Sequence, residues 1–561
     1  MMSNTRPSFP LRRIIVAALV IALAVIAIYG QTWHHDFVNY DDDVYVFKNP
    51  EITGGLTWHG VRWAFGFHAA NWHPLTWISH MLDCEVFGLN AGGHHLVGAG
   101  LHAANAVILL ALLTAMTGRF WPSAVVAALF AVHPLRVESV AWAAERKDVL
   151  STFFGLLAIA AHLRFLRRRR PGPWLASLAL FALSLAAKPM LVTLPLLLFL
   201  LEVWPLGRHA RTLTAPAVSG SWRRSLLEKI PFAALSLGSG LLTLRAHTRN
   251  IPRMVEAGFG DRLGNALVSC VHYLGDLLWP VRLASLYPYP RSGVDVTAVA
   301  VAATVLVAVT LAVSRARNRP YLAVGWAWYL VALIPVSGIV QIGGHARADR
   351  YTYVPLIGVV VALAWLGREW WPRRAAGRRA AACALLLLMV AFGVVAHRQV
   401  ETWRDSLTLL SYTTGVTRDN YVMLNNLGVT LLDAGRAREA APVLEQAVGI
   451  NPALCDASAN LGNALYALQR HEDAVLSFKR AGACYLAEGH LPRNFTGLLT
   501  RLGRSLLYLR RPDEATQVFA DLLRLSPGDP SGRIGLASAQ ALRARGDRGP
   551  ATGDLPAGGI R

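Results

Sequence analysis

The chain has 561 residues, 54% of them hydrophobic and only 16% charged, with a formal net charge of +21. Soluble domains carry about 25% charged residues, so lipid is the expected solvent for much of this chain. The basic excess sits in short Arg clusters between apolar runs, the pattern of cytoplasmic loops facing anionic headgroups, and no nucleic-acid motif accompanies it.

In chain order, Arg12 and Arg13 precede an apolar run from Ile14 to Tyr29. No small-residue cleavage site follows, so it reads as a retained first span rather than a signal peptide. Runs of about the 17–25 residues needed to cross a bilayer recur to residue 396. The expected spans are 13–30, 95–116, 121–134, 149–166, 173–188, 190–206, 229–246, 295–313, 321–340, 353–368 and 379–396. Segment 264–280 is apolar but carries His272 and Asp276, and is assigned to the interface. With these eleven spans the clusters at Arg6–Arg13, Arg167–Arg170, Arg208–Arg224, Arg315–Arg319 and Arg368–Arg379 all fall on one side, which the positive-inside rule makes cytoplasmic.

The first outer loop, about 31–94, holds Asp41, Asp42 and Asp43 in succession. Adjacent carboxylates at a membrane surface are costly unless solvated or paired. They offer a general base or a metal ligand, against the plainer reading of a solvated helix cap. The second outer loop reads His133-Pro134-Leu135-Arg136-Val137-Glu138-Ser139-Val140-Ala141-Trp142-Ala143-Ala144-Glu145-Arg146-Lys147-Asp148. Helical spacing after Pro134 puts Val137, Val140, Ala141 and Ala144 on one face, which predicts an interfacial helix. Glu138 and Glu145 flank that face on one edge, Arg136 and Lys147 on the other.

Three more outer segments carry polar or aromatic groups: Lys188-Pro189, Tyr287-Pro288-Tyr289-Pro290, and His345 to Tyr351 with Arg347 and Arg350. Basic residues on the outer side need a reason, and an anionic ligand supplies one, since Arg forks match phosphate oxygens. His73, His94, His95 and His102 are scattered and read as structural rather than zinc-binding. Of five cysteines none forms a CxxC, so a zinc site or disulfide framework is not expected. Cys455 and Cys484 are the pair available in an oxidising compartment.

Beyond His397 three tetratricopeptide-like (TPR) units are visible. The first carries Leu427-Gly428, Leu431, Ala440, Leu444, Ala447 and Pro452. The second carries Leu461-Gly462, Leu465, Ala474, Phe478 and Ala481; the third, after a seven-residue insertion, Leu502-Gly503, Ala515, Phe519 and Pro527. Such arrays present a concave surface to partner segments. Residues 536–561 read as a disordered tail.

The Asn39-Tyr40-Asp41-Asp42 loop, the 133–148 string and the trailing TPR units together resemble the transmembrane-and-TPR-containing O-mannosyltransferases, within the wider GT-C class. The resemblance covers essentially the whole chain, and the Ala/Arg-rich composition reads as that of a bacterial member. It implies an all-α fold: a GT-C-like bundle of about eleven spans over 1–396, a connector at 397–420 and a TPR α-solenoid over 421–535. It implies transfer of a sugar, such as mannose, from a polyprenyl-phosphate donor to Ser/Thr hydroxyls of a protein on the non-cytoplasmic face. A bacterial inner membrane with the TPR domain on the periplasmic side follows from that.

Asp41 or Asp42 would be the catalytic base, with Asp43 the lesser choice. Arg136, Glu138, Lys147, Lys188, Arg347 and Arg350 would bind donor phosphate or sugar, with Glu145, Asp148, Tyr287 and Tyr289 as additional candidates. No cofactor is required by this chemistry, and a divalent metal is left open. Expected partners are the lipid-linked sugar, membrane lipid and an acceptor protein recruited by the TPR domain. The competing readings are a transferase acting on a lipid or glycan, a non-catalytic membrane scaffold, and a transporter. Eleven spans are more than anchoring needs, and a transporter would place its ionisable residues in mid-span.

Overall fold

The computed structural model describes residues 11–208, 222–248, 257–291, 293–340, 344–489, 491–492 and 494–546. Two compact units divide at Val416/Thr417. The connector expected at 397–420 therefore belongs mostly to the first unit. Its residues pack on the first outer loop: Asp36 N–H donates to Arg404 O at 2.9 Å, and Asn39 N–H to Ser406 Oγ at 2.7 Å.

The first unit begins with α1 (Leu11–Tyr29), then the outer-loop helices α2 (Pro50–Thr53), α3 (Trp58–Ala64) and α4 (Pro74–Phe87). Next come α5 (Ala91–Thr117), α6 (Phe120–Val132), α7 (Val137–Ala141), α8 (Arg146–Arg168), α9 (Pro171–Ala187) and α10 (Leu194–Val203). Then follow α11 (Trp222–Thr248), α12 (Phe259–Leu278), α13 (Val296–Arg315), α14 (Pro320–Leu333), α15 (Pro355–Glu369), α16 (Ala375–Glu401) and α17 (Ser406–Val416). A small antiparallel ladder, β1 (Tyr287–Pro288) with β2 (His345–Arg347), joins two outer loops.

Each of the eleven apolar runs forms a helix. Among the described residues, six helices are long and apolar enough to cross a membrane, seven if the bent pair α6 and α7 counts as one span. The protein is a multi-pass membrane protein. α9, α10 and α14 are shorter apolar helices. α12, the segment assigned to the interface, is a 20-residue helix and is not among the six. It is bonded along its length to the loop between α14 and α15. Arg262 donates to Ile339 O, Asn265 to Ala346 O at 2.7 Å, and Asp276 pairs with Arg347.

The 133–148 segment is not the single interfacial helix that its periodicity predicts. A residue before proline is pushed out of the helical region, and His133 is extended at φ −73°, ψ 133°. Beyond it, Pro134–Arg136 is a 3-10 turn, α7 has five residues, Trp142 is extended again, and Ala143–Glu145 is a second 3-10 turn. α6 and the 134–141 stretch meet at 61°. Every residue from His133 to Asp148 is buried, so the segment is folded into the protein rather than snorkelling at its surface. Lys188, before Pro189, is extended for the same reason, which ends α9 there.

The second unit is a stack of helix pairs: α18 (Tyr421–Asp433) with α19 (Ala437–Ile450), α20 (Cys455–Ala467) with α21 (His471–Glu488), and α22 (Phe495–Tyr508) with α23 (Pro512–Leu525). In each pair a glycine on the first helix lies against a large side chain of the second: Gly428 on Leu444, Gly462 on Phe478, Gly503 on Phe519. A Cβ at any of the three would collide, so these glycines set how closely the helices approach. The inserted residues lengthen α21 to 18 residues. Cys455 and Cys484 form a disulfide with Cα atoms 5.4 Å apart, tying α20 to α21. α24 (Pro530–Gly546) closes the stack, so the expected tail is helical as far as Gly546; 547–561 lie outside the described residues.

Candidate functional site

The breaks around Pro134, Trp142 and Pro189 bring charged side chains from several outer segments together. Arg350 donates from its backbone N–H to Glu138 Oε2 at 2.7 Å, and its guanidinium pairs with Glu138 through Nη1. Its Nε lies 3.4 Å from Glu145 Oε1. On a continuous helix two residues seven apart would stand about 10 Å apart along the axis. One guanidinium reaches both carboxylates because the helix is interrupted between them. Lys188 Nζ donates to Glu145 Oε2 at 2.8 Å and Asp148 Oδ1 at 2.6 Å. Lys147 Nζ lies 3.1 Å from Glu145 Oε1 and over the Tyr45 ring at 4.4 Å. Ser139 Oγ donates to Asp148 Oδ2 at 2.9 Å. Three cations and three carboxylates interlock on aromatic walls formed by Tyr45, Trp142 and Tyr351.

This arrangement changes the reasoning about outer-side basic residues. Each of Lys147, Lys188 and Arg350 has a carboxylate partner, so an anionic ligand is not needed to explain them. Donors remain nonetheless. Lys188 uses two of its three N–H groups, and Lys147 pairs with one carboxylate. Burial alone would lower Lys188, but Asp148 and Glu145 hold its ammonium above the ordinary lysine value.

The three adjacent aspartates separate completely. Asp42 is fully buried, and both its oxygens accept backbone N–H groups: Val38 to Oδ2 at 2.9 Å and Ala144 to Oδ1 at 2.8 Å. It staples the first outer loop to the second. Burial pushes its carboxyl up to about 7, against the pull of those two amides. Asp43 starts a helical turn and meets Lys48 at 3.5 Å, at the loop surface. Asp41 is solvent-accessible, and among the described residues its carboxylate accepts no hydrogen bond. It has a left-handed backbone, φ 67°, a conformation uncommon outside glycine and favoured at special sites. Crowding by protein raises its carboxyl above the usual range, with Lys147 and Arg350 opposing and Glu145 adding to the rise.

The remaining expected residues divide in the same way. Arg136 is 1% exposed and donates to Thr352 O at 2.8 Å, between the rings of Phe130 and Tyr353. It is an internal strut, not a phosphate ligand. Arg347 pairs with Asp276 and lies 3.8 Å from the Tyr287 ring centre; the Tyr287 hydroxyl donates to Asp349 Oδ1 at 3.0 Å. This second cluster adjoins the first through Arg350 and Glu138. Burial, with Glu138 close by, carries the Asp349 carboxyl well above its ordinary value. Tyr289 faces Asp261 and Arg262 instead and is not part of either cluster.

Asp349 and Asp276 were missed as site residues. Asp349 had a signal, since it lies between two arginines already singled out. Asp276 had one as an acid near the end of an apolar helix. Beside these groups, Pro134, Glu138, Leu283, Ala284, Asp349, Gln399 and Trp403 help to line a small cleft that opens to solvent and is far smaller than an ordinary ligand pocket. Groups of three potential metal ligands occur, among the described residues, at His80/Asp83/His94 and at Cys455/Cys484/Glu488. Neither includes the aspartate triplet, and the sulfurs of the second are joined in the disulfide.

Comparison with known proteins gives the same family as the motifs. Residues 421–454 match the tetratricopeptide repeat model. The chain is similar to protein O-mannosyl-transferases of animals. Against protein O-mannosyl-transferase Tmtc1 of Drosophila melanogaster it is 32% identical over 199 residues, 34% of this chain and 23% of the relative. Against Tmtc2 of the same organism it is 29% identical over 179 residues, 29% of this chain and 19% of the relative. Against human TMTC4 it is 23% identical over 405 residues, 62% of this chain and 54% of the relative. The matched segments thus span about a fifth to a half of those relatives' lengths. The family resemblance read from the sequence is borne out.

Proposed function

We propose that the protein is a membrane-embedded glycosyltransferase that moves a sugar, mannose on the analogy of its relatives, from a polyprenyl-phosphate carrier to Ser or Thr hydroxyls of a protein. The observation that carries this reading is Asp41: one accessible carboxylate, unpaired among the described residues, beside an otherwise interlocked set of charges. Asp41 takes the hydroxyl proton as the acceptor oxygen attacks the anomeric carbon. The bond from that carbon to the phosphate oxygen breaks, and the lipid phosphate leaves with the electron pair. Lys147, Lys188 and Arg350 stabilise the charge it gains with N–H groups not already engaged. Single displacement inverts the anomeric centre. Glu138, held twice by Arg350, serves to orient that arginine rather than as a second nucleophile.

The site is assigned to the non-cytoplasmic side, with the TPR unit on the same side as a recruiter of acceptors. Three things support that placement: the basic clusters fall opposite, α12 is bonded along one outer loop, and Cys455–Cys484 is a disulfide, which persists in oxidising compartments. A bacterial inner membrane rests on composition alone, since the relatives compared are animal proteins. The test is transfer by purified protein from polyprenyl-phosphate mannose to an acceptor peptide. Wild type is expected to transfer and Asp41→Asn to be inactive while inserting normally. Full activity in Asp41→Asn would overturn the catalytic assignment. A variant lacking 417–561 is expected to glycosylate a short peptide but not a folded acceptor; equal loss on both would end the recruiting role.

A further inference from the structure

Outside the charge network, α4 and the start of α5 carry a second buried polar group that the transfer chemistry does not use. His80 and Asp83 are three residues apart on α4, so they share a helix face, and His94 comes from the first turn of α5. All three are buried, His80 and His94 completely, and one ligand atom from each lies within 4.8 Å of the others.

The hydrogen bonding of this trio is incomplete at two points. His94 Nε2 is 3.1 Å from Gly88 O, and a carbonyl only accepts, so that nitrogen carries the proton. In the neutral ring Nδ1 is then a bare lone pair, and it faces Asp83 Oδ2 at 3.3 Å. Two acceptors at that distance repel unless a cation lies between them. A second proton on His94 would supply one; a metal ion would supply one that also reaches His80. Either stands near the buried Arg146 guanidinium, which pairs with Asp83 and donates to His94 O at 2.5 Å. His80 adds a second anomaly: neither of its ring nitrogens has any partner, although both are buried. Buried polar atoms are satisfied in native proteins with few exceptions.

We propose that His80, Asp83 and His94 bind one divalent transition-metal ion, with zinc as the best match. Two neutral imidazoles and a carboxylate form a familiar zinc donor set, and the 3.3 Å between His94 Nδ1 and Asp83 Oδ2 suits two ligands of one tetrahedral ion. The outer shell is already in place. Gly88 O fixes the His94 tautomer, and Arg146 orients the carboxylate, as such shells do at known metal sites. Arg146 opens α8 directly before Lys147. The ion would therefore clamp α4 and α5 to the helix start that presents Lys147, and its role is positional.

The test uses the full-length protein in detergent, stripped of metal and then exposed to zinc or cobalt. The expected result is about one equivalent of zinc retained through gel filtration, and a visible d–d band with cobalt. His80→Ala and His94→Ala should lose both, while His95→Ala, altering a neighbouring histidine outside the trio, should keep them. Equal retention by the two variants, or no retention by wild type, overturns the proposal. Should the variants not fold, X-ray absorption of zinc-loaded wild type decides. Nitrogen and oxygen neighbours with imidazole scattering support the site, and sulfur neighbours overturn it.

Discussion

Two of the buried charge networks in the membrane unit differ in one respect. At the outer loops Glu138, Glu145 and Asp148 interlock with Lys147, Lys188 and Arg350, and Asp41 stands beside them without a partner. The other network joins the ends of α8, α10 and α11. There Glu202 meets Lys229 at 2.6 Å, Arg208 at 2.9 Å and His162 at 3.2 Å, and Glu228 meets Arg208 at 2.7 Å and Arg169 at 3.0 Å. Both networks take charges out of water at a cost that pairing offsets. In the second, every carboxylate is engaged by cations, so its role is to hold helices. Beside the first, Asp41 stays accessible and, among the described residues, unpaired, which is why the proposed chemistry assigns the proton to it.

The sharpest way to break this comparison is to neutralise the odd carboxylate. Asp41→Asn is expected to lower transfer by roughly 100- to 10,000-fold, the usual range for removing a general base, with unfolding temperature unchanged. Glu202→Gln should do the reverse. It leaves Lys229 and Arg208 short of an anion, costing about 3–5 kcal/mol of stability, while transfer per folded molecule stays at the wild-type level. Unfolding in detergent beside a transfer assay on the surviving fraction reads both.

Asp42→Asn is expected to be intermediate. One amide oxygen can still accept, but the NH₂ group meets the other backbone N–H, so about 1–3 kcal/mol is lost, and activity falls in step with stability. A loss like that of Asp41→Asn without loss of stability would move the base to Asp42.

The smallest effect is one of pH. Because burial raises the Asp41 carboxyl, the ionised base is lost on acidification at a pH above the ordinary carboxylate range. Lys147 favours the ionised form, so Lys147→Met raises that pKa further and moves the acid limb of the kcat/KM profile to higher pH. A limb that stays in place, or moves down, would show that Lys147 does not act on the base.

Much of the architecture was legible because it rests on local chemistry. Continuous apolar runs gave the helices, and paired Gly and large residues at a fixed spacing gave the TPR stack. The two X-Pro steps at His133 and Lys188 act within a dipeptide and marked the breaks. The 133–148 segment was misread because its period is truly helical, while Trp142 leaves the helix for a tertiary reason: its indole N–H donates to Tyr40 O at 2.8 Å and its ring stacks on Tyr40. Arg136 and Arg350 looked alike as outer arginines. One is fixed to a backbone carbonyl and the other to two carboxylates.

The sequence by itself determined a helical membrane protein with a TPR stack, and the loops in which the chemistry would lie. Hydropathy and repeat spacing are properties of segments and survive without a fold. Only the tertiary structure tells Asp41 from Asp42, neighbours with the same side chain, by leaving one carboxylate accessible and bonding the other to two backbone amides. The difference depends on where the amides of Val38 and Ala144 point, and Ala144 is 102 residues away along the chain.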